Sequence, residues 1–346
     1  MTGTVERAAM SGEFTIGNTI GRWKATRPPF RPANAPRQHA FEPTEFHRAF
    51  SGAIAPVLHV YPGDTVKTWS VDAAGVDSKG VRRSLGGNPE TGPFYIEGAL
   101  PGDTLVVKLT RIRLNRDTAI SSGSIAPNAI TPGYLQTRKR VDNYNSDWVL
   151  DRDKGIARLA RPTEALKNYT VPLRPMLGCV AVAPPGKMVF SAGYPGNFGG
   201  NMDYNRIREG VTVYLPVFQL GALLFMGDGH AAQGDGELTG NALETSMDIE
   251  FTVDVIPGKS TPMPRAEDDE YLMAIGIGGS LTEAFQIATT QMARWLEDDY
   301  KLNAAEAASV LGTAIQYDIA EVVDPYVNVV AKVARKALAQ IPKAGP

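Results

Sequence analysis

The chain has 346 residues, of which 43% are hydrophobic and 21% are charged. This composition excludes a chain that is disordered throughout, because enough apolar surface can be buried to offset the entropy lost on ordering. The 35 basic and 37 acidic side chains leave a net charge of −2, which gives no reason to expect binding to nucleic acid or to an anionic membrane. The length allows two domains or one large β-rich domain.

The single cysteine, Cys179, excludes an intrachain disulfide and a multi-cysteine zinc site. Residues 1–14 carry charges and no apolar stretch, so they do not have the pattern of a secretory signal. The longest apolar runs fall far short of the ~20 residues that a membrane-spanning helix needs. We therefore expect a cytoplasmic protein that has no membrane partner.

Residues 1–50 are predicted to form an irregular N-terminal arm. The proline-rich stretch at 27–32 disfavours a helix and lacks N–H donors for a sheet. Six basic residues and two acids lie between residues 22 and 48. Two interpretations stay open, an arm that binds a partner or wraps a subunit, and a solvated extension.

Residues 51–260 are predicted to form a mainly β body. Short apolar or alternating runs are separated by turns, and the Pro-Gly-Asp turn occurs twice, which favours a β-sandwich or barrel built from hairpins. The polar residues 115–170 lack a clear pattern and are predicted to be a long insertion over the surface, either a simple excursion or a lid. The predicted strands lie at 57–61, 65–71, 94–97, 104–109, 178–182, 211–217, 222–226 and 247–255.

Residues 261–346 are predicted to form an α+β C-terminal part. Two capping signatures, at 280–283 and 303–306, mark helix starts. Asp324 and Pro325 have the pattern of a helix cap followed by a first-turn proline. The predicted elements are a helix from about 281 to 299, a helix after 303, a strand at 314–323 and a helix at 326–338.

The densest candidate site is the glycine-rich segment 227–237, which follows an apolar strand. If the strand continues through Asp228, then Asp228 and His230 point to the same face. A carboxylate and an imidazole on one face are plausible metal ligands. The alternative is a core histidine beside an ordinary turn, but the surrounding acids and small residues favour the metal site.

Further polar side chains occur where a site wall would place them. The glycine-rich loop 193–203 offers Asn201 and Asp203, either to a site or to a plain turn. Three acids lie at or beside predicted strands. If such a carboxylate is buried, it needs a partner or a metal. The alternative for each acid is an exposed strand end. These acids are Asp72, Glu97 and Glu244.

The chain resembles the acetamidase/formamidase family in several segments that follow one another in the expected order. The resemblance covers residues 55–110 and 175–325, and the N-terminal arm and the 115–170 insertion depart from it. The matching stretches are 91–105, 199–203, 214–217 and 227–244, together with Asp72-Ala73 after a strand.

The resemblance implies a β-rich enzyme with an α+β remainder that hydrolyses small carboxamides, such as formamide or acetamide, to a carboxylate and ammonia. It also implies a homo-oligomer and dependence on a metal. The departures can reshape the entrance of the site, so they leave the substrate open. The alternatives are a hydrolase of a larger amide or a cyclic imide, a non-catalytic β-sandwich that binds a small ligand, and a scaffold whose arm docks a partner.

Amide hydrolysis needs an activated water, a polarised carbonyl and a proton for the leaving nitrogen. No convincing serine or cysteine nucleophile is present, so a divalent metal is the economical source of the first two. One histidine with carboxylates suits zinc, manganese or a similar ion, of which we predict zinc. The predicted roles are metal ligands Asp72, Asp203, Asp228 and His230, general acid/base Glu244, amide-orienting residues Asn201 and Gln233, and supporting residue Glu97.

Overall fold

The computed structural model describes residues 2–6, 9–17, 19–26, 36–139, 141 and 144–342. Strands are its main elements, which confirms the predicted β-rich α+β class. The first strands are β1 (Thr2–Glu6), β2 (Ala9–Ile16), β3 (Thr19–Thr26), β4 (Gln38–Ala40), β5 (Ala49–Ser51), β6 (Leu58–Val60), β7 (Thr65–Ser70), β8 (Thr91–Ile96), β9 (Thr104–Leu114), β10 (Thr118–Ile120), β11 (Asp147–Asp151), β12 (Ile156–Leu159) and β13 (Thr170–Pro172). The next are β14 (Met176–Val182), β15 (Val189–Ser191), β16 (Pro195–Gly196), β17 (Gly199–Asn201), β18 (Thr212–Pro216), β19 (Leu224–His230), β20 (Met247–Ile256), β21 (Arg265–Glu267), β22 (Tyr271–Gly278), β23 (Ile315–Glu321) and β24 (Val327–Ala334). The helices are α1 (Pro132–Thr137), α2 (Leu281–Tyr300), α3 (Ala304–Ala314) and α4 (Arg335–Leu338).

Two large sheets enclose the main core. One has nine strands in the order β23-β24-β22-β21-β18-β9-β20-β7-β4, and the other has six in the order β16-β17-β14-β19-β8-β6. Burial alternates along β9 and β20, so each presents one apolar face. Phe94 of the six-stranded sheet meets Phe251 of the nine-stranded sheet edge to face, with ring centroids 5.2 Å apart. The body is therefore a β-sandwich.

The C-terminal strands extend the nine-stranded sheet, and α2 covers them. Ser280 caps α2 by accepting a hydrogen bond from the backbone N–H of Glu283. A second apolar cluster joins α2 to β22 and β24. Because strands from both predicted parts share one sheet, the division at residue 260 stays a prediction.

The helix predicted at residues 326–338 is wrong over most of its length. The chain forms β24 there, followed by the short helix α4. The Asp324-Pro325 signal is local, whereas β24 pairs with β22 on one side and β23 on the other. Its valines suit this buried central position, so tertiary pairing overrides the capping signal.

The N-terminal arm is not irregular where it is described, because β1, β2 and β3 form an antiparallel sheet. Gly17, with φ of 58°, provides the left-handed turn between β2 and β3. The proline-rich stretch at 27–32, on which the prediction of an irregular arm was based, lies outside the described residues.

The 115–170 insertion is also more regular than predicted. Strands β10 to β13 form a four-stranded antiparallel sheet, which we call the insertion sheet. Only one face of each short strand carries apolar residues, so the period is difficult to see in the sequence. Ala119, Leu150, Ala157 and Leu159 are buried beneath it.

Candidate active site

Asp228 and His230 lie at the C-terminal end of β19, in the centre of the six-stranded sheet. The Nε2 atom of His230 is 3.3 Å from Oδ2 of Asp228, so the two side chains converge as their spacing predicts. Asp228 has φ of 51°, a left-handed value that is uncommon for a strand residue other than glycine. Such a backbone is typically retained where the surrounding structure requires it, often at a functional site.

Two further acids reach the same point from other segments. Asp203 follows β17, and its Oδ1 is 3.9 Å from His230 Nε2. Glu244 forms an isolated antiparallel bridge with His230 and places its Oε2 3.3 Å from the same nitrogen. All four side chains are at most 3% exposed. We call Asp203, Asp228, His230 and Glu244 the acid–histidine cluster.

The acid–histidine cluster fits a divalent metal ion. Each member has one buried atom that could bind a metal and that has no hydrogen-bond partner within the described part of the chain. These atoms are Asp203 Oδ1, Asp228 Oδ1, His230 Nε2 and Glu244 Oε2. Asp228, His230 and Glu244 can each offer a ligand atom within 4.8 Å of the others, and so can Asp203, His230 and Glu237. Buried charged donors without partners are costly unless a cation satisfies them.

The pKa shifts of the cluster residues also fit a bound cation. Burial raises the pKa of the Asp203 carboxyl well above its ordinary value, and the Glu237 and Asp228 carboxylates add to the shift. Burial also raises the pKa of Glu244 and Glu237, although His230 opposes it. For His230, burial alone would lower the pKa, but the carboxylates of Glu244 and Asp228 raise it well above its ordinary value. A divalent cation would reverse these carboxyl shifts by favouring the ionised acids.

Gln233 orients the His230 ring. Its Nε2 donates hydrogen bonds to the backbone carbonyls of Asp203 and Ala320, so its Oε1 is the atom that faces His230 Nδ1, at 2.9 Å. Nδ1 must therefore carry the proton and donate it to Oε1. This leaves Nε2 directed at the acids, as a metal-binding imidazole requires.

Asn201 holds acids in place in a similar way. Its Nδ2 donates to Oδ2 of Asp203 at 2.6 Å and to Oδ2 of Asp324 at 2.7 Å, while its Oδ1 accepts from Asn88 at 3.0 Å. The amide groups of Asn201 and Gln233 thus act on site side chains. Their predicted contact with a substrate stays a prediction.

Two residues predicted for the site have carboxylates that are paired with other side chains. Asp72 accepts hydrogen bonds from the backbone N–H groups of Ala74 and Val76, and its Oδ2 pairs with Arg116 at 2.7 Å. Glu97 pairs with His59 at 2.8 Å, and its side chain is 32% exposed. Neither belongs to the acid–histidine cluster, because each carboxylate pairs with a basic side chain that is distant in the sequence.

A substitution separates the structural role of Asp72 from the role first predicted. Asp72→Asn breaks a buried ion pair and is expected to lower the free energy of unfolding by about 3–5 kcal/mol, measured by denaturant titration. The metal content and kcat/KM should not change. Asp151→Asn is the matched control, since Asp151 also accepts a backbone N–H but pairs with an exposed lysine, and it should change the free energy of unfolding far less than Asp72→Asn does. Loss of metal from Asp72→Asn would restore it as a ligand.

Sequence reasoning missed several acids around the cluster. Glu237 is buried and Asp324 is half-buried, and partial burial raises the pKa of Asp324 to about 6. Glu90 is fully buried beside Gly227, where a Cβ on the glycine would meet its carboxylate at 2.4 Å. Glu237 is the last residue of the glycine-rich segment 227–237, which the sequence analysis identifies as the densest candidate site. Its position in the sequence could therefore have indicated a role in the site. Asp324 was misassigned as a helix cap, and Glu90 gave no signal beyond being an acid before a strand.

The comparisons with known proteins agree with this site and fold. Residues 192–335 match the model of the acetamidase/formamidase family, and they include the acid–histidine cluster. An acetamidase of Mycolicibacterium smegmatis is 42% identical over 65 residues, which is 18% of this chain and 16% of that protein's length. A formamidase of Methylophilus methylotrophus is 29% identical over 302 residues, covering 68% of this chain and 72% of that one.

A solved structure extends the likeness to the whole fold. The crystal structure of an acetamidase from Yersinia enterocolitica superposes with a TM-score of 0.75 at 28% identity, covering 89% of this chain and 95% of that one. In sequence motifs and in fold, the chain is similar to members of the acetamidase/formamidase family.

Proposed function

We propose that this chain hydrolyses primary carboxamides to a carboxylate and ammonia at the acid–histidine cluster. Relatives named acetamidase and formamidase support the reaction type. The observation that carries the proposal is the convergence of four buried donor atoms that have no hydrogen-bond partners within the described residues. Such an arrangement suits the holding of an ion and the movement of a proton.

Asp203, Asp228 and His230 would hold a divalent metal ion, for which we propose zinc because the donors are one imidazole and several carboxylates. When bound, the ion would lower the pKa of a water ligand and polarise the amide carbonyl. Gln233 keeps His230 Nε2 directed at the acids, and Asn201 keeps the Asp203 carboxylate in place. These contacts preorganise the ligands before substrate arrives.

Glu244 is the proposed general acid/base. Its Oε1 accepts a hydrogen bond from the backbone N–H of Ala242 at 2.9 Å, which leaves Oε2 facing the cluster. In the reaction the water oxygen bonds to the carbonyl carbon and the C–N bond breaks. Glu244 takes a proton from the water and passes it to the leaving nitrogen, which departs as ammonia.

The test is an ammonia-release assay on formamide, acetamide and propionamide, combined with metal analysis of the same preparation. We expect stoichiometric metal, loss of at least ~10²-fold in rate after chelation, and recovery with zinc. Full activity in a metal-free preparation would remove the ion from the mechanism. Absence of ammonia release across a wider amide panel would favour the non-catalytic binding protein.

Two further predictions belong with this function. A homo-oligomer follows from the resemblance, and light scattering of the purified chain measures it. A cytoplasmic location follows from the sequence composition, and fractionation of cells measures it. Among the helices of the described residues, none is long and apolar enough to cross a bilayer.

A further inference from the structure

A cavity of about 540 Å³ lies beside the acid–histidine cluster, between the insertion sheet and the loop 231–243. Two residues of its wall also touch the cluster. Gln233 contacts His230 Nδ1 at 2.9 Å, and Glu237 offers a carboxylate oxygen within 4.8 Å of ligand atoms of Asp203 and His230. The cavity therefore lies next to the buried cluster, with Gln233 and Glu237 between them.

The cavity is much larger than the smallest amides. A water molecule occupies about 30 Å³ in the liquid, so acetamide, with four non-hydrogen atoms, takes up roughly 100 Å³. It would leave about four-fifths of the space to water. Sites that bind larger organic ligands have volumes of about 300–1,000 Å³, and this cavity lies in that range.

The wall of the cavity is suited to an aromatic group. Tyr169 and Leu238 line it and are 49% and 45% exposed, so their apolar surfaces are open to a ligand. Trp148 also lines it, with its ring centroid 6.3 Å from that of Tyr169. The indole N–H of Trp148 donates to Ser121 Oγ at 3.0 Å, so its polar edge is already satisfied. Aromatic rings pack well against such partly open aromatic walls.

The charges of the cavity do not favour an ionic tail. Arg174 and Asp235 both line it, are both exposed, and have opposite signs. Glu237 stands at the inner end, beside the cluster, so it adds no charge to the outer wall that would face the tail. An uncharged acyl group is therefore the best match to this wall.

We propose that the cavity binds the acyl group of an uncharged primary carboxamide that carries an aromatic ring, with phenylacetamide as a small example. This inference rests on the proposed amide hydrolysis and names its substrate class. The reaction consumes one water: a C–O bond forms at the carbonyl carbon, the C–N bond breaks, and the products are phenylacetate and ammonia. The specificity would come from the insertion sheet and the loop 231–243, which together form the wall of the cavity.

Gly234 gives the sharpest test. It lines the cavity, and a Cβ placed on it would meet no heavy atom within 4 Å, so Gly234→Phe adds bulk there without a clash at the Cβ. Gly312→Phe is the matched control, because Gly312 has the same open surroundings on α3 and does not line the cavity. The readout is the ratio of kcat/KM for phenylacetamide to that for acetamide.

In the wild type we expect this ratio to be at least ~10, and Gly234→Phe to lower it at least ~10-fold while Gly312→Phe keeps it. Leu238→Ala should also lower the ratio, compared with Leu220→Ala, an exposed leucine outside the cavity. Hydrolysis of acetamide with a ratio below 1 would overturn the inference and leave the proposed function standing.

Calorimetric titration with phenylacetamide covers the case in which no amide is hydrolysed. Binding to the wild type that is lost in Gly234→Phe but kept in Gly312→Phe supports the cavity as the aromatic site, although the proposed function then fails. Absence of both hydrolysis and binding overturns the inference as well. Binding that persists unchanged in Gly234→Phe places the ligand elsewhere and also overturns it.

Discussion

His230→Ala is expected to lower kcat/KM for amide hydrolysis by at least ~10²-fold and to remove the bound metal. The reason is geometric, because His230 Nε2 lies at the centre of the acid–histidine cluster and is the only nitrogen donor in it. Glu244→Gln separates the two roles within the cluster. It should lower kcat by a similar factor but retain the metal, since Asp203, Asp228 and His230 remain.

His59→Ala is the matched control for this experiment. His59 also pairs with a carboxylate, Glu97, but its side chain is 56% exposed and lies outside the cluster. It should keep both metal and activity. Full activity and unchanged metal content in His230→Ala would exclude His230 from the mechanism. Loss of metal in Glu244→Gln would make Glu244 a ligand and leave the general base unassigned.

Gly178→Ala is expected to impair the site without removing any of its functional groups. An alanine Cβ at this position would lie 2.3 Å from Asp203 Oδ1 and 2.4 Å from Asp228 Oδ2, far inside van der Waals contact. Gly178 lies in the fully buried strand β14, so the backbone cannot move away easily. The two carboxylates must shift instead. A displacement of about 1 Å can cost ~10²-fold in rate, and we expect a loss of that order in kcat/KM together with reduced metal content.

Gly312→Ala controls for the added methyl group, because a Cβ there meets no heavy atom within 4 Å. Circular dichroism should show that both variants keep the β-rich fold. Wild-type kinetics and metal content in Gly178→Ala would contradict the packing of Asp203 and Asp228 against β14. It would also weaken the argument that the cluster is preorganised.

The site was partly predictable, and the particular residues show why. Asp228 and His230 are two residues apart on one strand, so the period of a strand suffices to bring them together. Glycine-rich loops drew attention to Asn201, Asp203 and Gln233. Asp72 was wrong because an acid at a strand end gives no indication of whether an arginine far along the chain will reach it. Arg116 does so here, and it is separated from Asp72 by 44 residues.

The fold also has features that local sequence predicts and features that depend on distant residues. The capping signatures before α2 and α3 depend on neighbouring residues, and both helices start where predicted. The signature at Asp324 failed because β24 gains pairing on both sides, which no local pattern reports. The insertion sheet was missed because each of its strands is short and is buried on one face only.

By itself, the sequence determined the β-rich class, the resemblance to the acetamidase/formamidase family and the two-residue spacing of Asp228 and His230. Only the tertiary structure decided that Glu244 and Asp203 complete the cluster, that Asp72 and Glu97 do not, and that Glu237 and Asp324 stand close by. The physical reason is that strand period and helix capping act over a few residues, whereas the pairing of a buried charge depends on which distant segment the sheets bring within about 4 Å.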